Sequence, residues 1–232
     1  MQHVLGTFLL LLQEAGDNSG VINYLIEKFN QGGGFMWPIL ACLVLGLAFV
    51  IFKFISISRA SVNTKKFIVD VKKGLDEGGV ERAIDVCSKS SGSIASVFQA
   101  GLMRADEGIE AAEKAVISYG SIEMSFLERG MIWLSTFISI APLLGFTGTV
   151  QGMIQAFDSI AAAKNISPEI VASGISVALL TTLFGLLVAM ILQVFYNYFV
   201  SRIDKLVVEM EESSIELIDS LVMLQRGKKV SK

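Results

Sequence analysis

The chain has 232 residues, 53% of them hydrophobic, with a net charge of −3 and a mean hydropathy of +0.62, above the roughly 45–50% apolar share of an ordinary soluble domain. No basic stripe points to nucleic acid, and one histidine (His3) with two distant cysteines (Cys42 and Cys87) argues against a metal site or a disulfide. No nucleophile–base set or phosphate loop is present, so the chain is expected to be neither an enzyme nor a cofactor carrier.

In chain order, Val4–Leu12 is apolar but has no Lys or Arg before it. A secretory signal carries a positive n-region, so residues 1–34 are expected to form an outside segment with a retained surface helix, in preference to a cleaved signal. Gly32-Gly33-Gly34 breaks the chain before the first of three uncharged windows, Phe29–Phe52, Gly130–Phe157 and Ile170–Ser201. Each is long enough for a spanning helix, which needs about 20 apolar residues. In hydrocarbon only helices and closed barrels satisfy their backbone groups, and the windows lack the alternation of barrel strands. The fold class is therefore an all-α polytopic membrane protein with spans at 35–57, 130–157 and 170–201. Trp37 is placed as an interfacial anchor, Pro38 sits in the first turn, and Lys53 is expected to reach out to the headgroups.

Region 58–129 reads as helical. A stretch from Ser58 to Leu75 is ended by Gly78-Gly79, a short helix covers Val80–Ser88, and a polar turn Ser88–Ser93 follows. Periodicity returns from Ile94 to Glu128, and without a strong breaker the helix is expected to continue into the second span. A link, 158–169, joins the second and third spans. The tail 202–232 carries Ile203, Leu206, Met210, Leu217, Leu221 and Leu224 at helical spacing. It is expected to pack on the 94–129 helix, with Glu209, Glu211, Glu212 and Glu216 as a solvated surface. The second and third spans would thus extend into a cytoplasmic helical bundle. Of 19 Lys and Arg, 11 lie between Lys53 and Arg129 and six follow Ser201. Positive residues mark the cytoplasmic side, which puts 58–129 and 202–232 inside and the N-terminus outside.

The second span carries small residues on one face: Ala141, Gly145, Gly148, Gly152 and Ala156, with Thr149 beside them. The third carries Gly174, Ala178, Thr181, Thr182, Gly185 and Ala189. Helices in lipid associate through close packing and interhelical hydrogen bonds, so two matched stripes predict a tight seam. Pro142 removes a donor within the second span and frees a carbonyl upstream. Neither span holds Asp, Glu or His, the groups that commonly relay protons. The threonines can bond water, an ion or their own preceding turn. If the chain conducts protons, a partner must supply the titratable group.

Ala141-Pro142-Leu143-Leu144-Gly145-Phe146-Thr147-Gly148-Thr149-Val150-Gln151-Gly152-Met153 resembles the second-span signature of the MotA/TolQ/ExbB proton channel family. Gly174-Ile175-Ser176-Val177-Ala178-Leu179-Leu180-Thr181-Thr182-Leu183-Phe184-Gly185-Leu186 resembles its third-span signature, and Val80–Leu102 its cytoplasmic segment. The likeness covers roughly residues 35–205 and is closest to the ExbB/TolQ branch. It implies an oligomeric ring, a pentamer, in the bacterial inner membrane, whose second and third helices surround the helices of an ExbD- or TolR-like partner dimer. An aspartate on that partner would carry the proton. Thr149, Thr181 and Thr182 would line the ion pathway, and Ala141, Pro142, Gly145, Gly148, Gly152, Ala178 and Gly185 would form the pore wall and helix packing. A TonB-like or Tol-type periplasm-spanning protein would receive the work. Val177 stands where many relatives have glutamate. Two alternatives are a TolQ-like envelope subunit and a non-conducting membrane scaffold.

Overall fold

A computed structural model describes residues 18–61, 64–90, 92–163 and 168–230. They form seven α-helices: α1 Asn18–Gln31, α2 Met36–Ala60, α3 Thr64–Lys89, α4 Ser93–Met103, α5 Ile109–Glu128, α6 Met131–Ala163 and α7 Pro168–Val230. A 3₁₀ turn, Ala105–Glu107, lies between α4 and α5. Among the described residues, three helical runs are long and apolar enough to cross a membrane: Met36–Ala60, Ile109–Ala162 and Pro168–Gln225. The surface helix expected around Val4–Leu12 lies outside the described residues.

The chain divides into two compact units. The first contains α1, α2 as far as Leu47, α6 from Trp133 and α7 as far as Val194. The glycine break before α2 is present: α1 closes with Gly32 N–H donating to the Lys28 carbonyl at 3.0 Å, and Gly33 adopts φ +74°. Glycine reaches that left-handed region without a Cβ clash. Trp37 is exposed and meets Phe29 edge-on at 5.5 Å between ring centroids. Along α2, Met36, Ile39 and Cys42 recur at helical spacing and are buried. The hydrogen of Gly46 faces Leu192 of α7, which is fully buried.

The second unit contains the remainder of α2, then α3, α4 and α5, and α7 from Phe195. Its buried residues include Phe67 and Phe98, whose rings lie 5.4 Å apart, together with Val71, Leu102, Val116 and Leu217. At Gly101 the added methyl of an alanine would lie 2.4 Å from Val116 and 3.6 Å from Leu217, so α4, α5 and α7 meet there. Helix α3 runs parallel to α7: Thr64 donates to Glu209 at 3.2 Å, and one stretch further on Lys72 pairs with Glu216 at 2.5 Å. Glu209 and Glu216 are therefore half-buried partners rather than the solvated surface expected, while Glu211 and Glu212 are exposed. Gly79 (φ +69°, ψ −159°) interrupts α3 where Gly78-Gly79 predicted a stop.

Two expectations are corrected in this unit. The helix from Ile94 does not run unbroken into the second span. Gly108 (φ +115°) separates α4 from α5, Arg129 is extended, and Gly130 turns at φ +90° before α6 begins at Met131. Gly130 is the breaker, because only glycine takes that backbone angle without strain. Lys53 does not reach outward. It is 4% exposed, and its ammonium donates to the Leu127 carbonyl and, at 3.0 Å, to the Arg129 carbonyl. The last carbonyls of a helix lack intrahelical donors and carry partial negative charge, so the end of α5 offers the buried cation its acceptors.

Candidate functional site: the α6–α7 seam

Apolar side chains give two helices no reason to associate in lipid; close backbone contact does. The α6 residues Ala141, Gly145, Gly148, Gly152 and Ala156 are all buried on one face. They meet α7 in antiparallel order. Ala156 touches Gly174, Gly152 lies against Gly174 and Ala178, Gly148 against Thr181, Gly145 against Thr182 and Gly185, and Ala141 against Gly185.

The contact is backbone to backbone at several points. A methyl at Gly185 would lie 2.6 Å from the Ala141 carbonyl oxygen, and one at Gly145 would lie 2.9 Å from that of Thr181. Approaches this short leave room for a hydrogen and nothing larger. The glycines sit where the backbones cross, which is why a small-residue stripe, and not a merely apolar one, appears in both helices. Pro142 lies on α6 one residue past Ala141, half-buried. It offers no N–H to the Ile138 carbonyl one turn earlier.

The three threonines occupy different positions. Thr181 is fully buried in the seam and donates to the Ala178 carbonyl at 2.9 Å and the Val177 carbonyl at 3.2 Å. Thr182, half-buried, donates across the seam to the Gly145 carbonyl at 3.3 Å. Thr149, half-buried, donates to the Phe146 carbonyl at 2.6 Å. Sequence spacing placed these residues on the small faces. It gave no signal for the cross-helix bond of Thr182, because that depends on the register of two separate helices.

Chemistry follows from who donates. A hydroxyl has one donor and two acceptor lone pairs. At Thr149 and Thr182 the proton is committed to a backbone carbonyl, so what each oxygen retains is acceptor capacity. Such an oxygen suits an incoming O–H, whether water, hydronium or a protonated carboxylic acid, and offers nothing to a bare carboxylate. No charged residue lies between Gly130 and Phe157 or between Ile170 and Ser201, so the seam itself carries no proton-exchanging group. Val177 is half-buried on α7, beside Gly33. Among the described residues no group of three His, Cys, Asp or Glu could hold a metal ion.

The sequence model described as the MotA/TolQ/ExbB proton channel family matches residues 89–212, which include the seam-forming stretches of both α6 and α7. A protein of Methanothermobacter thermautotrophicus named as an ExbB homolog is 32% identical over 205 residues, 87% of this chain and 71% of its own length. The Tol-Pal system protein TolQ of Haemophilus influenzae is 35% identical over 82 residues, 35% of this chain and 36% of its own. The biopolymer transport protein ExbB of Salmonella typhimurium is 38% identical over 78 residues, 34% of this chain and 32% of its own.

Proposed function

Because this chain belongs to the MotA/TolQ/ExbB proton channel family, we propose that it is the channel-forming subunit of an ExbB–ExbD-type motor driven by the proton motive force. The observation that carries this is the uncharged, hydroxyl-bearing seam of α6 and α7. Copies of the chain assemble as a ring, a pentamer, around the helices of an ExbD- or TolR-like dimer, and the partner contributes an aspartate. Thr149 and Thr182, with their protons already donated, accept from that aspartate in its protonated, neutral form. Thr181, Ala141, Pro142, Gly145, Gly148, Gly152, Ala178 and Gly185 hold the wall in shape.

Moving one charge across the membrane releases about 2.3 kcal/mol per 100 mV. Protonation lets the partner helix pass the wall, and release of the proton on the cytoplasmic side resets it. Regions 58–129 and 202–232 face the cytoplasm, and 1–34 and 158–169 the periplasm. The work energises TonB-dependent outer-membrane transport. A TolQ-like role in the Tol-Pal envelope system is the second reading, favoured by the likeness to TolQ over part of the chain. Neighbouring genes distinguish them: a TonB-like protein for the first, Tol-type envelope proteins for the second.

The test is proton flux into vesicles holding this protein with its partner. Thr149→Val and Thr182→Val each remove an acceptor while keeping shape, and flux is expected to fall at least tenfold in the double variant. Undiminished flux would remove the role given to the hydroxyls. A purified ring that binds no partner helix would favour a non-conducting scaffold.

A further inference from the structure

Several serines in this chain spend their hydroxyl on the preceding turn. Ser90, Ser125, Ser139, Ser159, Ser213, Ser214 and Ser220 each donate to the carbonyl four residues before. Ser58, in the last turn of α2, and Ser61 just beyond it do not. Among the described residues their hydroxyls form no hydrogen bond, and neither does the hydroxyl of Tyr198. Arg202, half-buried, forms no ion pair there with any carboxylate. All four polar groups line one cavity of about 230 Å³.

The floor of this cavity is apolar: Ile57 and Phe199 are buried, and Phe54 stands exposed at its edge. Its place in the sequence fixes its depth. Arg202 is the first charge after the uncharged run Ile170–Ser201, and Ser58 and Ser61 flank Arg59 at the end of α2, past its uncharged run. The cavity therefore sits where two membrane-length helices pass from hydrocarbon to water. A guanidinium with three free hydroxyls is a donor set for phosphate oxygens, and an apolar floor opening onto exposed Phe54 and Tyr198 suits the glycerol and first methylenes of an acyl chain.

We propose that this cavity binds the phosphate of an anionic membrane phospholipid, with Arg202 as the charge partner and Ser58, Ser61 and Tyr198 as donors. The lipid is favoured over free phosphate because the floor is apolar and continuous with side chains exposed at membrane depth. The site shares no residue with the α6–α7 seam, and the proposal does not depend on ion conduction.

Native mass spectrometry of the full-length protein in detergent, titrated with phosphatidylglycerol, reads the site directly. Arg202→Gln is expected to weaken the first bound lipid about tenfold or more, and Ser58→Ala with Ser61→Ala about three- to tenfold. Melting temperature and oligomer size are followed in parallel. The serine variant touches no core packing and keeps the test valid if Arg202→Gln destabilises the protein. Dioleoylglycerol, which lacks the phosphate, is expected not to compete; equal binding would overturn the proposal in favour of a purely apolar crevice. Inorganic phosphate at millimolar concentration is expected not to displace the lipid; displacement would assign the site to a soluble phosphate. Unchanged lipid affinity in both variants would also overturn it.

Discussion

Cys87 illustrates how much a single buried side chain reports. It is 1% exposed, and burial pushes its thiol up to about 12. The folded state thus holds the proton more tightly than the unfolded chain. The resulting stability is complete below about pH 9, the ordinary thiol value, and is lost as pH rises from there toward 12. In a Cys42→Ala background, alkylation of Cys87 by iodoacetamide at pH 8 is expected to be at least a hundredfold slower in the native protein than in denaturant. A native rate within tenfold would show the site to be open. Lys53 is the second case. Lys53→Met leaves the Leu127 and Arg129 carbonyls without a donor and is expected to cost about 1–3 kcal/mol, read as a lower melting temperature. Burial of this lysine was not legible in the sequence: a lysine near the end of an apolar run looks the same whether it extends to the headgroups or turns inward to the end of another helix.

Between elements, the seam predicts an order of glycine sensitivities. At Gly185 an added methyl meets the Ala141 carbonyl, and at Gly145 it meets the Thr181 carbonyl and Thr182 Cα; these are backbone atoms that cannot step aside. At Gly46 the methyl meets only the flexible end of Leu192. Overpacking costs about 1–3 kcal/mol, so Gly185→Ala and Gly145→Ala are expected at the upper end and Gly46→Ala at the lower. Thermal unfolding in detergent checks the ranking; equal losses would mean that the helices slide freely. The seam residues were legible because lipid removes the usual hydrophobic signal and leaves small residues as the main cue. The break at Arg129-Gly130 was not, since one glycine in an apolar run is also tolerated inside a helix. Its φ of +90° is a property of the folded backbone.

At the scale of the whole molecule, the three apolar runs were evident from length and hydropathy, and so was the approach of the C-terminal tail to the 94–129 region, but the tail's polar partners were not. The tail was expected on the 94–129 helix, and Leu217 does approach Gly101 of α4. Its polar contacts go to α3, through Glu209 and Glu216, and the spacing within the tail carries no information about so distant a partner. Both members of the Lys72–Glu216 pair are more than a third exposed, and pairs of that kind contribute about 0–1 kcal/mol. Lys72→Glu alone is expected to lower stability slightly and the exchange Lys72→Glu with Glu216→Lys to restore it, as a double-mutant cycle would measure. Lys53 has a further consequence, for the order of biogenesis. Its carbonyl partners lie 74 and 76 residues later in the chain, so they do not yet exist when the first apolar helix leaves the ribosome. Until α5 is made, the ammonium must wait at an aqueous surface, and the first helix cannot reach its final depth before α5 arrives to receive it.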